Sequence, residues 1–187
     1  MLQSPTLKPF RSTFEMNRNQ RQVNNLVIGA LIGAVYAAAT YLSSAFGVAY
    51  GPVQLRLSEA LTALAAITPA AVPGLTVGCI IGNIASPMGV WDIVFGALAT
   101  FIAALLSYKA RNIKVRSLPL LSLVMPVIFN ALIIGAELAF LMPSSGSRLT
   151  AFLINAGQLA LSEAVTCLAA GIPLYYGIKR TKIFTKR

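Results

Sequence analysis

A membrane-embedded, all-α bundle of six spans with both chain ends in the cytoplasm is the fold that the sequence predicts. Three observations carry it. Apolar residues fill 57% of the 187 positions and Asp, Glu, Lys and Arg only 11%, against about 45–50% and about 25% in soluble domains. Mean hydropathy is +0.75, and the apolar residues gather into runs of bilayer-crossing length. The 15 Lys and Arg lie between those runs. A soluble domain needs a charged surface and a disordered chain needs low hydrophobicity, so neither class fits. The formal charge of +10 does not signal nucleic acid either, because nucleic-acid binders carry basic residues as a stripe on a polar fold.

The expected organisation is a polar basic segment over 1–22, a six-helix substrate-binding domain over 23–178 and a basic tail over 179–187. The first segment reads as a cytoplasmic lead-in. The apolar run behind it is too long for a signal-peptide core, and no small-residue cleavage site leads into a polar mature chain. The first run, residues 25–46, exceeds the ~20 residues that a helix needs to cross a hydrocarbon core. In it Gly29 and Gly33, and Ala30, Ala34 and Ala38, repeat every four residues. Such strips let another helix approach closely, either a neighbour in the same bundle or a partner subunit. The second run, 54–67, is short and carries Arg56 and Glu59; the third, 70–86, is marginal in length. Turn chemistry at Thr68-Pro69 and Val72-Pro73-Gly74 makes these two either separate helices or one re-entrant hairpin of a five-helix bundle. The fourth run, 91–108, is marginal, while 118–141 and 151–178 are ample.

Short loops rich in Lys and Arg stay cytoplasmic. With six spans, one side receives Lys8, Arg11, Arg18, Arg21, Lys109, Arg111, Lys114, Arg116, Lys179, Arg180, Lys182, Lys186 and Arg187, and the other only Arg56 and Arg148. Both termini are therefore expected inside, with residues 46–53, 85–90 and 142–150 outside. Trp91, Tyr108, Tyr175 and Tyr176 fall near the expected interfaces, where amphipathic rings collect.

Enzyme chemistry finds little to work with. His is absent, which removes Ser-His-Asp and Cys-His relays and His-based metal sites. Cys79 and Cys167 stand alone, outside any CxxC pair. No GxxxxGK[ST] phosphate loop occurs, so an ATP-driven process would need its ATPase on another chain. No catalytic residue, metal site or cofactor is expected.

The acids are more informative. Glu15 aside, Glu59, Asp92, Glu137 and Glu163 all lie in or at the edge of apolar runs. A charge at the centre of a transmembrane helix costs about 2.5–3.5 kcal/mol on insertion scales, so it faces protein or a water-filled cavity and marks a functional site. At 1.5 Å per residue, none of the four belongs clearly to the cytoplasmic half. Asn130 and Glu137, seven apart, stand within about 20° of one another on a helix. Asn155, Gln158 and Ser162 share a face with Glu163 on its flank. Arg56 and Glu59, at i and i+3, can pair locally, and Asp92 can serve as a helix-start charge. Glu137 and Glu163 have no basic neighbour. Such a site suits a donor-rich or cationic ligand: an amine, an amidine, the N–H edge of a guanine-like ring or a coupling cation. Tyr36, Tyr41, Tyr50 and Trp91 offer flat rings for stacking.

Several polar-in-apolar blocks are distinctive together. They are Gly51-Pro52-Val53-Gln54-Leu55-Arg56-Leu57-Ser58-Glu59-Ala60-Leu61, Ala71-Val72-Pro73-Gly74-Leu75 with Gly78-Cys79 and Asn83, Trp91-Asp92-Ile93-Val94-Phe95-Gly96 with Ala99-Thr100, and Asn130-Ala131-Leu132 with Gly135-Ala136-Glu137-Leu138. In these blocks the chain resembles the QueT family over about residues 22–178. The resemblance implies a non-enzymatic S component of an energy-coupling-factor (ECF) transporter in a bacterial cell membrane. Such a subunit captures a queuosine precursor, a 7-deazaguanine such as preQ0 or preQ1. It works with a transmembrane T component and two cytoplasmic ATPases, with lipid around it and no nucleic acid involved. The resemblance also assigns Ala30, Ala34 and Ala38 to the T-component contact. Joined to the acid pattern, it makes Glu137 and Glu163 the main anchors, Asn130 and Gln158 the partners of ring acceptors, and Arg56, Glu59 and Asp92 secondary contacts. An S component for another cationic vitamin, or an autonomous ion- or proton-coupled carrier, remains open. Against the carrier, no pair of inverted halves is visible.

Overall fold

The computed structural model describes residues 17–116, 118–142 and 146–181. Most of the expected N-terminal segment and tail, with Lys8, Arg11, Glu15, Lys182, Lys186 and Arg187, lies outside them, as do residues 143–145 of an expected outer loop. The described residues are helical throughout: α1 (Arg18–Ala45), a 3-10 segment (Leu57–Ala66), α2 (Ala71–Asn83), α3 (Val90–Ala110), α4 (Leu120–Leu141), α5 (Arg148–Ala169) and α6 (Gly171–Thr181). Four stretches are long and apolar enough to cross a membrane, namely α1, α3, α4 and the α5–α6 run from Arg148 to Thr181. They answer to the first, fourth, fifth and sixth expected runs. The second run is a ten-residue 3-10 segment and the third a 13-residue α-helix. At about 2.0 Å per 3-10 residue and about 1.5 Å per α residue, each reaches roughly 20 Å, short of the ~30 Å hydrocarbon core.

The bundle is inside out relative to a soluble protein. Leu26, Leu31, Leu153, Leu161 and Val165 point outward from α1 and α5, while Glu59, Arg56, Asp92, Asn130, Glu137 and Glu163 are buried. Contiguous exposed apolar surface of this kind fits lipid.

The 3-10 segment is the hub. It packs against all six α-helices, and eight of its ten residues are buried. Backbone other than α-helix or closed barrel survives at membrane depth only when enclosed by protein, and this enclosure meets that condition. Gly47 and Gly51, both at positive φ, turn the chain into it, and Pro69 follows its end. The α1–α2 contact sets one wall. A Cβ on Gly74 would lie 2.4 Å from the Gly29 carbonyl oxygen, and one on Gly78 2.7 Å from that of Gly33. The strips on α1 thus divide: Gly29 and Gly33 meet α2 backbone to backbone, while Ala30, Ala34 and Ala38 stay exposed.

Pro126 sits inside α4. Proline has no N–H, so the carbonyl four residues earlier loses its helical partner. That carbonyl belongs to Ser122, and the Ser107 hydroxyl of α3 donates to it at 2.7 Å. The Ser122 hydroxyl returns the bond to the Ser107 carbonyl at 2.7 Å. Between α5 and α6 the helix is interrupted at Ala170, three residues ahead of Pro173.

Candidate functional site

Polar side chains meet where the hub crosses the bundle, in two groups. The first joins α1, the hub, α2 and α3. Tyr36 of α1 donates its hydroxyl to a Glu59 carboxylate oxygen, and Arg56 approaches the same oxygen at 3.9 Å. The Arg56 guanidinium donates to Asn83 Oδ1 at 3.0 Å and to the Tyr36 hydroxyl at 3.4 Å. Asn83 passes the connection on by donating to the Asp92 carbonyl at 2.8 Å, and the Asp92 carboxylate accepts from the Ser86 hydroxyl. Both members of the Arg56–Glu59 pair are buried, so it is far from a surface salt bridge. Losing one partner would leave an uncompensated buried charge.

The second group joins α4 and α5. Asn130 donates to Glu163 Oε1 at 2.8 Å, and the Cys167 thiol approaches Glu163 Oε2 at 3.7 Å. The same thiol lies 3.8 Å from the Glu59 backbone carbonyl, and the Gln54 amide donates to the Ser162 hydroxyl at 3.3 Å. These two contacts tie the groups together.

Glu137 stands apart from both. It is 4% exposed, and neither carboxylate oxygen has a hydrogen-bond partner among the described residues. It lines a cavity of about 530 Å³ between α3 and α4, with Trp91, Phe95, Leu132, Phe140 and Leu141 among its walls. Trp91 and Phe95 stack there, centroids 6.1 Å apart and planes inclined by 14°. The volume falls within the ~300–1,000 Å³ typical of small-molecule sites, which are largely apolar with a few placed polar groups. A carboxylate with both oxygens free can accept two charge-assisted hydrogen bonds from one donor edge.

Against the sequence expectations, Asn130, Glu137, Glu163, Glu59, Arg56 and Asp92 are all buried. Asn130 and Glu163 meet directly, and Arg56 and Glu59 pair as their spacing predicts. Gln158 is exposed on α5 and joins neither group, although Ser162 and Glu163 one turn on are buried. The tyrosines expected to stack are otherwise engaged. Tyr36 is fully buried against Glu59, and the Tyr41 and Tyr50 hydroxyls donate to the carbonyls of Ile81 and Gly82, both at 2.6 Å. Sequence reasoning missed Tyr36, Thr40 and Ser43 as an inward polar stripe, although their i, i+4, i+7 spacing was legible. It also missed Ser86 and the thiol contacts of Cys167.

Among known proteins, the family model described as QueT transporter matches residues 26–180. The queuosine precursor transporter QueT of Lactococcus lactis subsp. cremoris (strain MG1363) is 32% identical over 78 residues, which is 42% of this chain and 46% of that protein. The match thus spans about half the length of that curated relative. No solved structure matches.

Proposed function

Because the chain belongs to the QueT transporter family, we propose that it is the S component of an ECF-type importer, a membrane subunit that captures a queuosine precursor outside the cell. The observation that carries this reading is Glu137, a buried carboxylate with no partner among the described residues, set in the wall of an aromatic-lined cavity. A 7-deazaguanine offers N1–H and an exocyclic amine on one edge, which matches the two free oxygens, and a flat ring for Trp91 and Phe95. Glu163 with Asn130 supplies the second anchor. Arg56, Glu59 and Asp92 are already engaged with protein partners and frame the site. Gln158, exposed on α5, is not among the residues that line the cavity.

This reading counts each of the two short central elements, below full core thickness, as one pass beside the four long helices; on that count the 13-to-2 distribution of basic residues expected from the sequence puts both termini in the cytoplasm. Ala30 and Ala34 border an outer groove of about 380 Å³ whose other wall includes Pro73, Val77 and Ile81. This is where a helix of the T component docks, with two cytoplasmic ATPases completing the importer.

Native mass spectrometry of the protein purified from its own host tests the substrate. A retained 7-deazaguanine is expected, bound without ATP; a different retained molecule would replace the substrate assignment. Uptake by this chain alone in liposomes would overturn the importer-subunit reading in favour of an autonomous carrier.

A further inference from the structure

The two sides of α1 do different work. Its outer strip, Ala30, Ala34 and Ala38, is exposed. Its inner stripe is bonded to the hub at three points one turn apart: Tyr36 donates to Glu59, Thr40 donates to the Ser58 hydroxyl at 2.8 Å, and the Ser43 hydroxyl accepts from the Leu57 amide at 3.0 Å. The glycine contact packs α1 against α2 backbone to backbone, so a change in the seat of α1 on the hub would carry α2 with it. From Glu59 the contacts run through the Cys167 thiol to Glu163 and Asn130, the second anchor of the substrate reading. A buried hydrogen bond that exists in one arrangement and not in another biases an equilibrium between them, and such a bias is what couples two sites.

We propose that Tyr36 is a positioning residue that links ligand contact at the Glu163–Asn130 anchor to the placement of α1, so that the exposed alanine strip senses whether the site is filled. This rests on the substrate-binding reading above. The hydroxyl is the essential part, because it hydrogen-bonds both members of the Arg56–Glu59 pair, accepting from one and donating to the other, while the ring adds a cation–π contact to Arg56 at 5.9 Å that Phe would keep. The ring itself is core, packed with Ile32, Leu64, Leu75 and Cys79, which Phe would preserve.

Hydrogen–deuterium exchange of the whole protein in lipid nanodiscs, with and without preQ1, tests it. In the wild type, ligand is expected to slow exchange in α4 near 130–137, in α5 near 155–163 and in α1 near 36–45. In Tyr36→Phe the α4 and α5 protection persists while that of α1 falls by at least about tenfold, the scale of one hydrogen bond to a charged group. Thr40→Val, which removes the next bond of the same stripe, weakens α1 protection in the same direction and serves if the first variant does not fold. Undiminished α1 protection in either folded variant, or no α1 response in the wild type beside a clear one in α4 and α5, overturns this inference and leaves the substrate site standing. No response in any of the three helices removes the substrate site, and this inference with it.

Discussion

Glu137 and Glu163 are both buried acids and do different things in the unliganded protein. Glu163 is held by Asn130, whereas Glu137 has no hydrogen-bond partner among the described residues. A hydrogen bond to a charged group contributes about 1.5–3 kcal/mol, so Glu137→Gln should weaken binding of a 7-deazaguanine by about tenfold or more. Isothermal titration in detergent checks this; unchanged affinity in both Glu137→Gln and Glu163→Gln would remove the acid anchors. Arg56→Gln should act on stability, since removing one member of a buried pair costs about 3–5 kcal/mol. A drop in melting temperature that Glu59→Gln partly relieves in the double variant is the expected result. The acids were legible in the sequence because charge is rare in apolar runs. Their partners were not: Asn130 meets Glu163 across 33 positions, and no local spacing reports a contact of that range. Gln158 shows the reverse failure. It shares a face with Ser162 by helical arithmetic, yet a turn nearer the helix start that face has already left the bundle.

At the scale of elements, glycine and proline carry most of the specification. Gly78→Ala would force a Cβ to within 2.7 Å of the Gly33 oxygen, which backbone cannot yield cheaply, and overpacking of this kind costs about 1–3 kcal/mol. Gly157→Ala, with nothing within 4 Å, should be neutral or slightly stabilising through helix propensity. Thermal unfolding of the pair separates close packing from propensity. Pro126 allows a sharper test. Ser107→Ala should cost about 1–3 kcal/mol by stranding the Ser122 carbonyl, and much less in a Pro126→Ala background, where the helix regains its own donor. A double-mutant cycle on melting curves reads that coupling. The long helices were plain from the length of their apolar runs. The hub was seen only as a short, doubtful run, because a 3-10 conformation imposed by six surrounding helices leaves no periodicity of its own to read. The small-residue strips on α1 left two packings open; the glycine strip packs against α2 within the bundle, and the alanine strip is exposed.

For the molecule as a whole, the exposed apolar belt and the enclosed polar centre are one arrangement seen from two sides. Ala34 stands on the belt, exposed beside the α1–α2 groove. Ala34→Leu should therefore leave ligand binding intact and impair co-purification with the T component and ATPases. Lost binding with normal assembly would return the strip to internal packing.

The order of the polar contacts along the chain has a consequence for biosynthesis. Tyr36, Arg56, Glu59, Asn83, Ser86 and Asp92 bond to one another, and all have left the ribosome before α4 is made. Asn130 and Glu163 form their own pair later. The first half can thus enter the bilayer with its guanidinium paired to the Glu59 carboxylate and the Asp92 carboxylate bonded to the Ser86 hydroxyl. The contacts that join the halves, Gln54 with Ser162 and Glu59 with Cys167, each close across 108 residues. They involve a backbone amide, a hydroxyl, a backbone carbonyl and a thiol, so the contacts that dock α5 onto the nascent half include no ion pair.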